Sequence, residues 1–366
     1  MQEGNGVQQA TGKEGGQHSV LMVTPKFPPQ PGGAAYVFSR HAEGLAKNGH
    51  AVAVLTSTVG GRPRIERHGK VRVYRLFPYY PNPLHKVLFL PLSMLLVLAF
   101  YIAEGRRYRI IESHTVGELC LLSQIAARLL GKPLVKHVID LQTPQCLLRW
   151  PAPSLVLCCG ETVKDRARDA GVRPDRVSVL PLPFERPSIG PPKQQDRKRV
   201  FIFIGEISQK KGVGDLLAVL RDWQAPCTFI FVGDGPLLPA VQAYASSDAR
   251  VVATGRLDHE ATVAMLQRSD VLVHPSYADV LPLSILDAMA AGNAVIASDV
   301  GEIKRVVGKG GWIITPGNRQ QLKAALESAM RKSLGKKRRD ALRNIERYGG
   351  QDIYEQHHVL LEALLH

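Results

Sequence analysis

Residues Asp270 to Val307 read DVLVHPSYADVLPLSILDAMAAGNAVIASDVGEIKRVV and set two carboxylates, Asp279 and Asp287, eight residues apart across the start of an expected helix. Asp279 falls in the loop and Asp287 in the second turn. Pro282 suits the first helical position, where a missing N–H costs nothing, and Ile285, Leu286 and Met289 share an apolar side. The helix start, lined by Leu281 and Pro282, would then leave the Leu283 and Ser284 N–H groups unpaired and place a partial positive charge between the two acids. That is a place to hold phosphate. One carboxylate can reach groups on one side of a diphosphate and the other those on the far side, as a nucleotide-sugar requires.

The rest of the chain is read around that expectation. At 366 residues it is long enough for two α/β units with cores of their own, and its 45% hydrophobic and 22% charged content is ordinary for a globular protein. Residues 1–17 are Gly- and Gln-rich without an apolar centre and read as a disordered tail rather than a signal peptide. The first domain, 18–185, opens with the strand SVLMVTP, a loop KFPPQPGG and a helix from Ala34 to Asn48, then the strand AVAVLTS after Gly49-His50. This is the order of a right-handed parallel crossover. Gly32 and Gly33 open its helix and let backbone approach a phosphate or sugar closely. Further strands are expected at VRVYRL, RIIESH, LVKHVI, SLVLCCG and VSVLPLP.

Residues 186–199, RPSIGPPKQQDRKR, are Pro-rich and basic and read as a linker. A second domain, 200–350, repeats the alternation through VFIFIG, TFIFVG, VVATG, DVLVHPS and AVIAS. A terminal segment, 351–366, has helical periodicity. The five cysteines (Cys120, Cys146, Cys158, Cys159 and Cys227) lack paired metal spacing and read as reduced core residues of a cytoplasmic protein. The net charge of +15 would attract nucleotide diphosphates, nucleic acids or anionic surfaces alike. Val87 to Ala103, VLFLPLSMLLVLAFYIA, is short for a membrane span and divided by Pro91. It reads as a buried helix, with an interfacial helix beside Lys86, Arg106, Arg107 and Arg109 as the alternative.

The Asp279 to Val295 region resembles the retaining glycosyltransferases of family 4, which have the two-domain GT-B fold. Their signature is Glu, seven residues, Glu, with Gly-Phe-Pro after the first acid and Ala-Met-Ala-x-Gly-x-Pro-Val after the second. Here the matching run is Asp279-Val280-Leu281-Pro282 followed by Asp287-Ala288-Met289-Ala290-Ala291-Gly292-Asn293-Ala294-Val295, with both acids shortened to Asp. The resemblance extends from His18 onward and implies a GT-B α/β architecture, two Rossmann-like domains facing across a cleft.

Three further segments carry it. His114, in Glu112-Ser113-His114, matches the second histidine of the family's His-x-His motif, which implies a hydrogen bond to the donor sugar near its reacting carbon; Glu112 stands in place of the first. Gly205-Glu206-Ile207-Ser208-Gln209-Lys210-Lys211-Gly212 resembles Gly-Arg-Leu-x-x-x-Lys-Gly, which implies that Lys211, with Lys210 beside it, grips the diphosphate. Glu206 takes the arginine's place and is expected to turn away from the phosphates. Gly233-Asp234-Gly235 resembles the glycine turn lining the nucleotide pocket, and it lacks the third glycine of a dinucleotide fingerprint.

The resemblance thus implies an enzyme moving a sugar, with retention, from a UDP- or GDP-sugar to a glycan or lipid-linked acceptor. His114, Asp279 and Lys211 would act at the reacting centre, with no metal, cofactor or nucleic-acid partner. The alternatives are a non-catalytic GT-B protein that binds a nucleotide or a partner, favoured by the departures at Glu206, Asp279 and Asp287, and more weakly a sugar-nucleotide epimerase. An acceptor at the inner face of a membrane, with peripheral docking on anionic lipid, is expected from the basic charge, the Val87 to Ala103 segment and Tyr74, Arg75, Phe77, Tyr79, Tyr80, His85 and Lys86 before it.

Overall fold

The computed structural model describes residues 19–30, 32–78, 83–114, 117–141, 143–184, 198–346, 348 and 352–366, with backbone only at 83–90. The expected tail and all but the last two residues of the expected linker lie outside them, as do Tyr79, Tyr80 and the side chains of His85 and Lys86.

Two sheets form. The first contains β1 (Ser19–Val23), β2 (Ala51–Ser57), β3 (Ile65–His68), β4 (Val71–Phe77), β5 (Ile110–His114), β6 (Leu134–Val138), β7 (Leu155–Cys158) and β8 (Val177–Val179), in the spatial order β3-β4-β2-β1-β5-β6-β7-β8. All its neighbours are parallel except β3 on β4. The second contains β9 (Arg199–Ile204), β10 (Cys227–Val232), β11 (Val251–Gly255), β12 (Val271–His274), β13 (Ala294–Ser298) and β14 (Gly311–Ile314), in the order β11-β10-β9-β12-β13-β14, parallel throughout. β3 and β14 have no counterpart in the sequence reading, and β9 begins one residue inside the expected linker.

The helices of the first half are α1 (Gly33–Lys47), α2 (Pro83–Ala103), α3 (Glu118–Leu129), α4 (Gln145–Arg149) and α5 (Glu161–Asp169). Those of the second are α6 (Val213–Asp222), α7 (Leu238–Ser247), α8 (His259–Arg268), α9 (Leu283–Ala290), α10 (Ile303–Val307), α11 (Arg319–Arg331) and α12 (Gly335–Ile345), followed by α13 (Asp352–Glu362). Because strand side chains alternate, each buried strand feeds two cores. Val20 and Met22 of β1 pack with Phe38, Ala42 and Leu45 of α1 and Ile353 and Leu361 of α13. Leu21 and Val23 pack on the other face with Val97, Phe100 and Tyr101 of α2 and Cys120 and Ala127 of α3. The second sheet does the same, with Phe201 and Phe203 against α6 and α11, and Ile202 and Leu272 against α9. The α9 cluster continues into Val37, Leu148 and Val156, so one apolar core joins the facing edges of the two halves.

Three expectations are corrected here. Pro91 does not divide α2, which runs unbroken from Pro83 to Ala103. Nor is that helix buried: α3 and β4 cover one flank, and Leu92, Met94, Leu95, Leu98 and Ile102 on the other are 48–71% exposed. Among the described residues no helix is long and apolar enough to cross a membrane. Cys146 is exposed rather than in the core, and the other four free cysteines are buried.

Candidate active site

In each sheet the strand order reverses at its centre, between β1 and β5 and between β9 and β12, and ligands of open parallel sheets bind beyond the carboxyl ends of strands at such points. The ends of β1, β5, β9, β10 and β12 and the segments that follow them carry the residues singled out in the sequence.

Beyond β12, Pro282 is the N-cap of α9 with extended ψ of 127°, not its first helical residue. Leu283 and Ser284 are therefore the first two helical residues. With no preceding turn, their N–H groups have no helical carbonyl to bond and are available to an anion. Leu281 is buried beneath them. Gly33 at the start of α1 faces this helix end: a Cβ there would lie 3.7 Å from Leu283 Cδ1. Gly32, with φ of +125°, has open space where a side chain would project. Two helix N-termini thus meet across the cleft beside open space at the exposed Gly32 and Gly33.

The loop after β9 is laced into the same corner. The Tyr277 N–H donates to Lys210 O at 2.9 Å. Gly212, left-handed at φ 72°, passes so close to Pro275 that a Cβ would fall 2.0 Å from its carbonyl oxygen. This brings Lys211 Nζ to 2.5 Å from Asp279 Oδ1, while His274 Nε2 at the end of β12 lies 2.8 Å from Asp279 Oδ2. Burial would raise the Asp279 pKa, but His274 and Lys211 outweigh it and hold the carboxyl well below the usual range. The expected phosphate-gripping cation and sugar-binding acid are, in this state, each other's partners. Lys210 and Glu206 are exposed at the rim.

Asp287 differs. It is 7% exposed, and burial pushes its carboxyl up to about 7. Its charge is felt by Tyr36 of α1, whose hydroxyl is raised by burial first, with Arg40 opposing and Asp287 adding. Tyr36 also packs against His259 of α8, ring centroids 5.7 Å apart and planes tilted by 34°, so α1 touches the second half here. Gly233 and Gly235 have φ of 143° and 152°, and a Cβ at Gly233 would lie 1.8 Å from Gly205 O, so these turns interlock only as glycines. Asp234 folds back on its own turn and accepts the Gly235 N–H at 2.7 Å. His114 is buried at the end of β5, edge-on to Phe38 at 5.3 Å.

Glu112, two residues earlier, does not face the cleft. It is fully buried, with His137 Nδ1 3.0 Å from one carboxylate oxygen and His357 Nε2 of α13 2.8 Å from the other. Burial would raise its pKa, yet the two imidazoles dominate and hold it far below the carboxylate range. Sequence reading missed His274 and Tyr36. His274 carried a signal, a histidine at a strand's carboxyl end five residues before Asp279. Glu302 was legible only as part of Val300-Gly301-Glu302, which resembles the family's loop past the second acid. It reaches across to accept the Thr162 N–H at the start of α5 at 2.5 Å, a contact 140 residues away in sequence.

The model described as Glycosyltransferase Family 4 matches residues 31–185, and that described as Glycosyl transferases group 1 matches residues 198–332. The chain belongs to glycosyltransferase family 4. Among curated relatives, this family-4 chain is 28% identical over 317 residues to the 2-deoxystreptamine glucosyltransferase of Streptomyces kanamyceticus, covering 74% of this chain and 82% of that one. It is 29% identical over 327 residues to the 2-deoxystreptamine N-acetyl-D-glucosaminyltransferase of Streptomyces fradiae, covering 76% and 77%. Its fold matches the sucrose-phosphate synthase structure from Thermosynechococcus elongatus with a TM-score of 0.78, 18% identity and coverage of 95% and 99%. It matches Anabaena HepE in complex with UDP-glucose with a TM-score of 0.73, 19% identity and coverage of 94% and 99%. The family-4 chain is thus a transferase of GT-B fold, and its relatives favour an enzyme over a non-catalytic binding protein.

Proposed function

We propose that the chain moves a sugar from a UDP- or GDP-sugar to a glycan or lipid-linked acceptor with retention at the anomeric carbon. The observation that carries this reading is the meeting of the α1 and α9 N-termini at Gly33 and Leu283, with open space at Gly32 and the Lys211–Asp279 pair alongside. Donors aimed at a developing diphosphate charge are what a departing nucleotide requires. The diphosphate rests on the Leu283 and Ser284 N–H groups and draws Lys211 from Asp279, which frees that carboxylate for sugar hydroxyls. Asp287 takes the ribose hydroxyls, and His114 enters from β5 toward the reacting carbon. The family resemblance supplies the remaining step, in which the leaving phosphate accepts the acceptor's proton on the same face without a bound metal or cofactor. The HepE complexes with UDP and UDP-glucose support uridine as the base.

The acceptor half of the proposal rests on α2. Its exposed leucines border a groove of 540 Å³ lined by Leu76, Leu92, Leu96, Ala99 and Phe100, with Arg64 at its edge. Tyr74, Arg75 and Phe77, expected to take part in docking, are buried, and Glu104 also lines the groove. The exposed Arg64, Arg106, Arg107 and Arg109 and the apolar flank are what suit a lipid carrier and weak docking on anionic lipid, at about 1 kcal/mol per basic side chain. Incubation with a panel of nucleotide-sugars, followed by detection of released nucleoside diphosphate, tests the donor reading. No release and no thermal shift with any millimolar nucleoside diphosphate would sink it. Flotation with anionic and neutral vesicles at low salt tests the docking, which fails if the protein stays in the soluble fraction with both.

A further inference from the structure

Twelve histidines are spread along the chain, and three ligating groups come together where α13 meets the first sheet, in a place with no part in the donor cleft. His50 immediately precedes β2, its N–H bonded to Leu45 O at 3.0 Å, and it is 6% exposed. His358 and Glu362 lie one turn apart on α13. His50 Nε2 is 2.7 Å from His358 Nδ1 and 4.0 Å from Glu362 Oε1, and the three candidate ligand atoms all lie within 4.8 Å of one another. The frame around them is fixed by packing. Asn48 Nδ2 donates to Tyr354 O at 3.0 Å, and Gly44 abuts the Tyr354 ring so closely that a Cβ would lie 2.1 Å from it.

Tetrahedral coordination with metal–nitrogen and metal–oxygen bonds of ~2.0–2.2 Å separates neighbouring ligand atoms by about 3.3 Å. The observed separations of 2.7 and 4.0 Å straddle that value and the third lies within 4.8 Å, so the site is reached by opening the imidazole pair and drawing in the carboxylate, by about 1.5 Å or less. We propose that His50, His358 and Glu362 bind a divalent transition cation of the zinc class, with water or the nearby His366 in the fourth position. Two imidazoles and a carboxylate suit such an ion better than magnesium or calcium, which prefer all-oxygen sets. The cation would fasten the chain returning from the second sheet to the base of the first. It is a structural site, distinct from the sugar-transfer chemistry. Local spacing could not reveal it, since His50 and His358 are 308 residues apart.

The test uses the full-length chain without a polyhistidine tag, stripped with a chelator and titrated with zinc chloride by calorimetry. The expected result is one tight equivalent of Zn(II) per chain and a higher melting midpoint that the chelator reverses. Because His50 is buried and its removal can unfold the start of β2, the deciding variant is His358→Gln, which keeps a polar group beside His50. It should fold as the parent does in chelator and bind Zn(II) more weakly by more than the roughly 10–100-fold that loss of an outer-shell partner costs. Glu362→Gln should weaken binding as well. Absence of a tight equivalent in the parent, or unchanged affinity in folded His358→Gln, overturns the proposal.

Discussion

Glu112 and Asp287 are both withdrawn from water, one in the middle of the first sheet's core and one at the cleft of the second half, yet their carboxyl pKa values move in opposite directions. Burial opposes ionisation at each. Glu112 has an imidazole on either oxygen and stays charged; at Asp287 burial acts alone, and the proton is retained to about pH 7. Partnership, not depth, separates them. A carboxylate whose partners come with the fold is part of the architecture, and one buried without a partner among the described residues is free to receive one from the proposed ligand.

The contrast is tested most severely at Glu112. Removing it strands two buried imidazoles, so Glu112→Ala should cost about 3–5 kcal/mol, read as a shift of the urea midpoint. An unchanged midpoint would mean that the cluster holds nothing together. Since its folded pKa is depressed, the stability Glu112 contributes is present above its unfolded value near 4.5 and is lost as pH falls below it.

Asp287 should respond with the opposite sign. Its folded pKa is raised from 3.8 to about 7, so in that window the native state holds a proton that the unfolded chain has released, and stability falls as pH rises. Asp287→Asn is therefore expected to stabilise the protein at pH 8, by no more than about 4 kcal/mol, while weakening nucleotide binding. The same variant should expose an acid-side slope. His41, packed against His137 and His357, is pushed well below the imidazole range by burial first and then by those two rings. Its contribution is present above its unfolded value of 6.5 and lost as pH falls below it, at up to about 1.4 kcal/mol per unit. In the parent, Asp287 offsets that loss. Parallel midpoint-versus-pH curves for parent and variant from pH 8 to 5 would place an ionised carboxylate at 287 and break the comparison.

Smaller effects sharpen it within the cleft. Lys211→Ala should weaken nucleoside diphosphate binding by about 1.5–3 kcal/mol in calorimetry, the range for a hydrogen bond to a charged group, and Lys210→Ala by less. Equal losses would mean that the exposed lysine shares the phosphate. The smallest effect is expected at Glu206, exposed at the rim, where Glu206→Arg should leave donor affinity unchanged or slightly improved. A large loss there would give the carboxylate a positive role.

The second half was the more legible because its site is local in sequence. Asp279, Pro282, Leu283 and Asp287 fall within nine residues, and the glycine turns follow directly from apolar strands. The strands SVLMV, RIIESH and DVLVHPS were equally plain, since strands buried on both faces are continuous apolar runs. The first half hid what depends on distant partners. Glu112 had no reading until His357, 245 residues on, was placed beside it. The exposed flank of α2 was equally invisible: a helix apolar all round does not tell from its sequence which side its neighbours leave bare. In the cleft, sequence spacing put Lys211 and Asp279 at opposite tasks and could not show their side chains in contact.

That contact makes Asp279 a resident competitor. An anion arriving at Lys211 exchanges one ion pair for another, so charge alone gains it little. Inorganic phosphate, with nothing further to offer, is held at a disadvantage. On the proposed reading, a nucleoside diphosphate sugar would recover the difference through the α9 N-terminus and its ribose, and its transferred sugar would then occupy the carboxylate it displaced. Selectivity in such a cleft begins before any substrate contact is made, with a threshold set by the protein's own counter-ion.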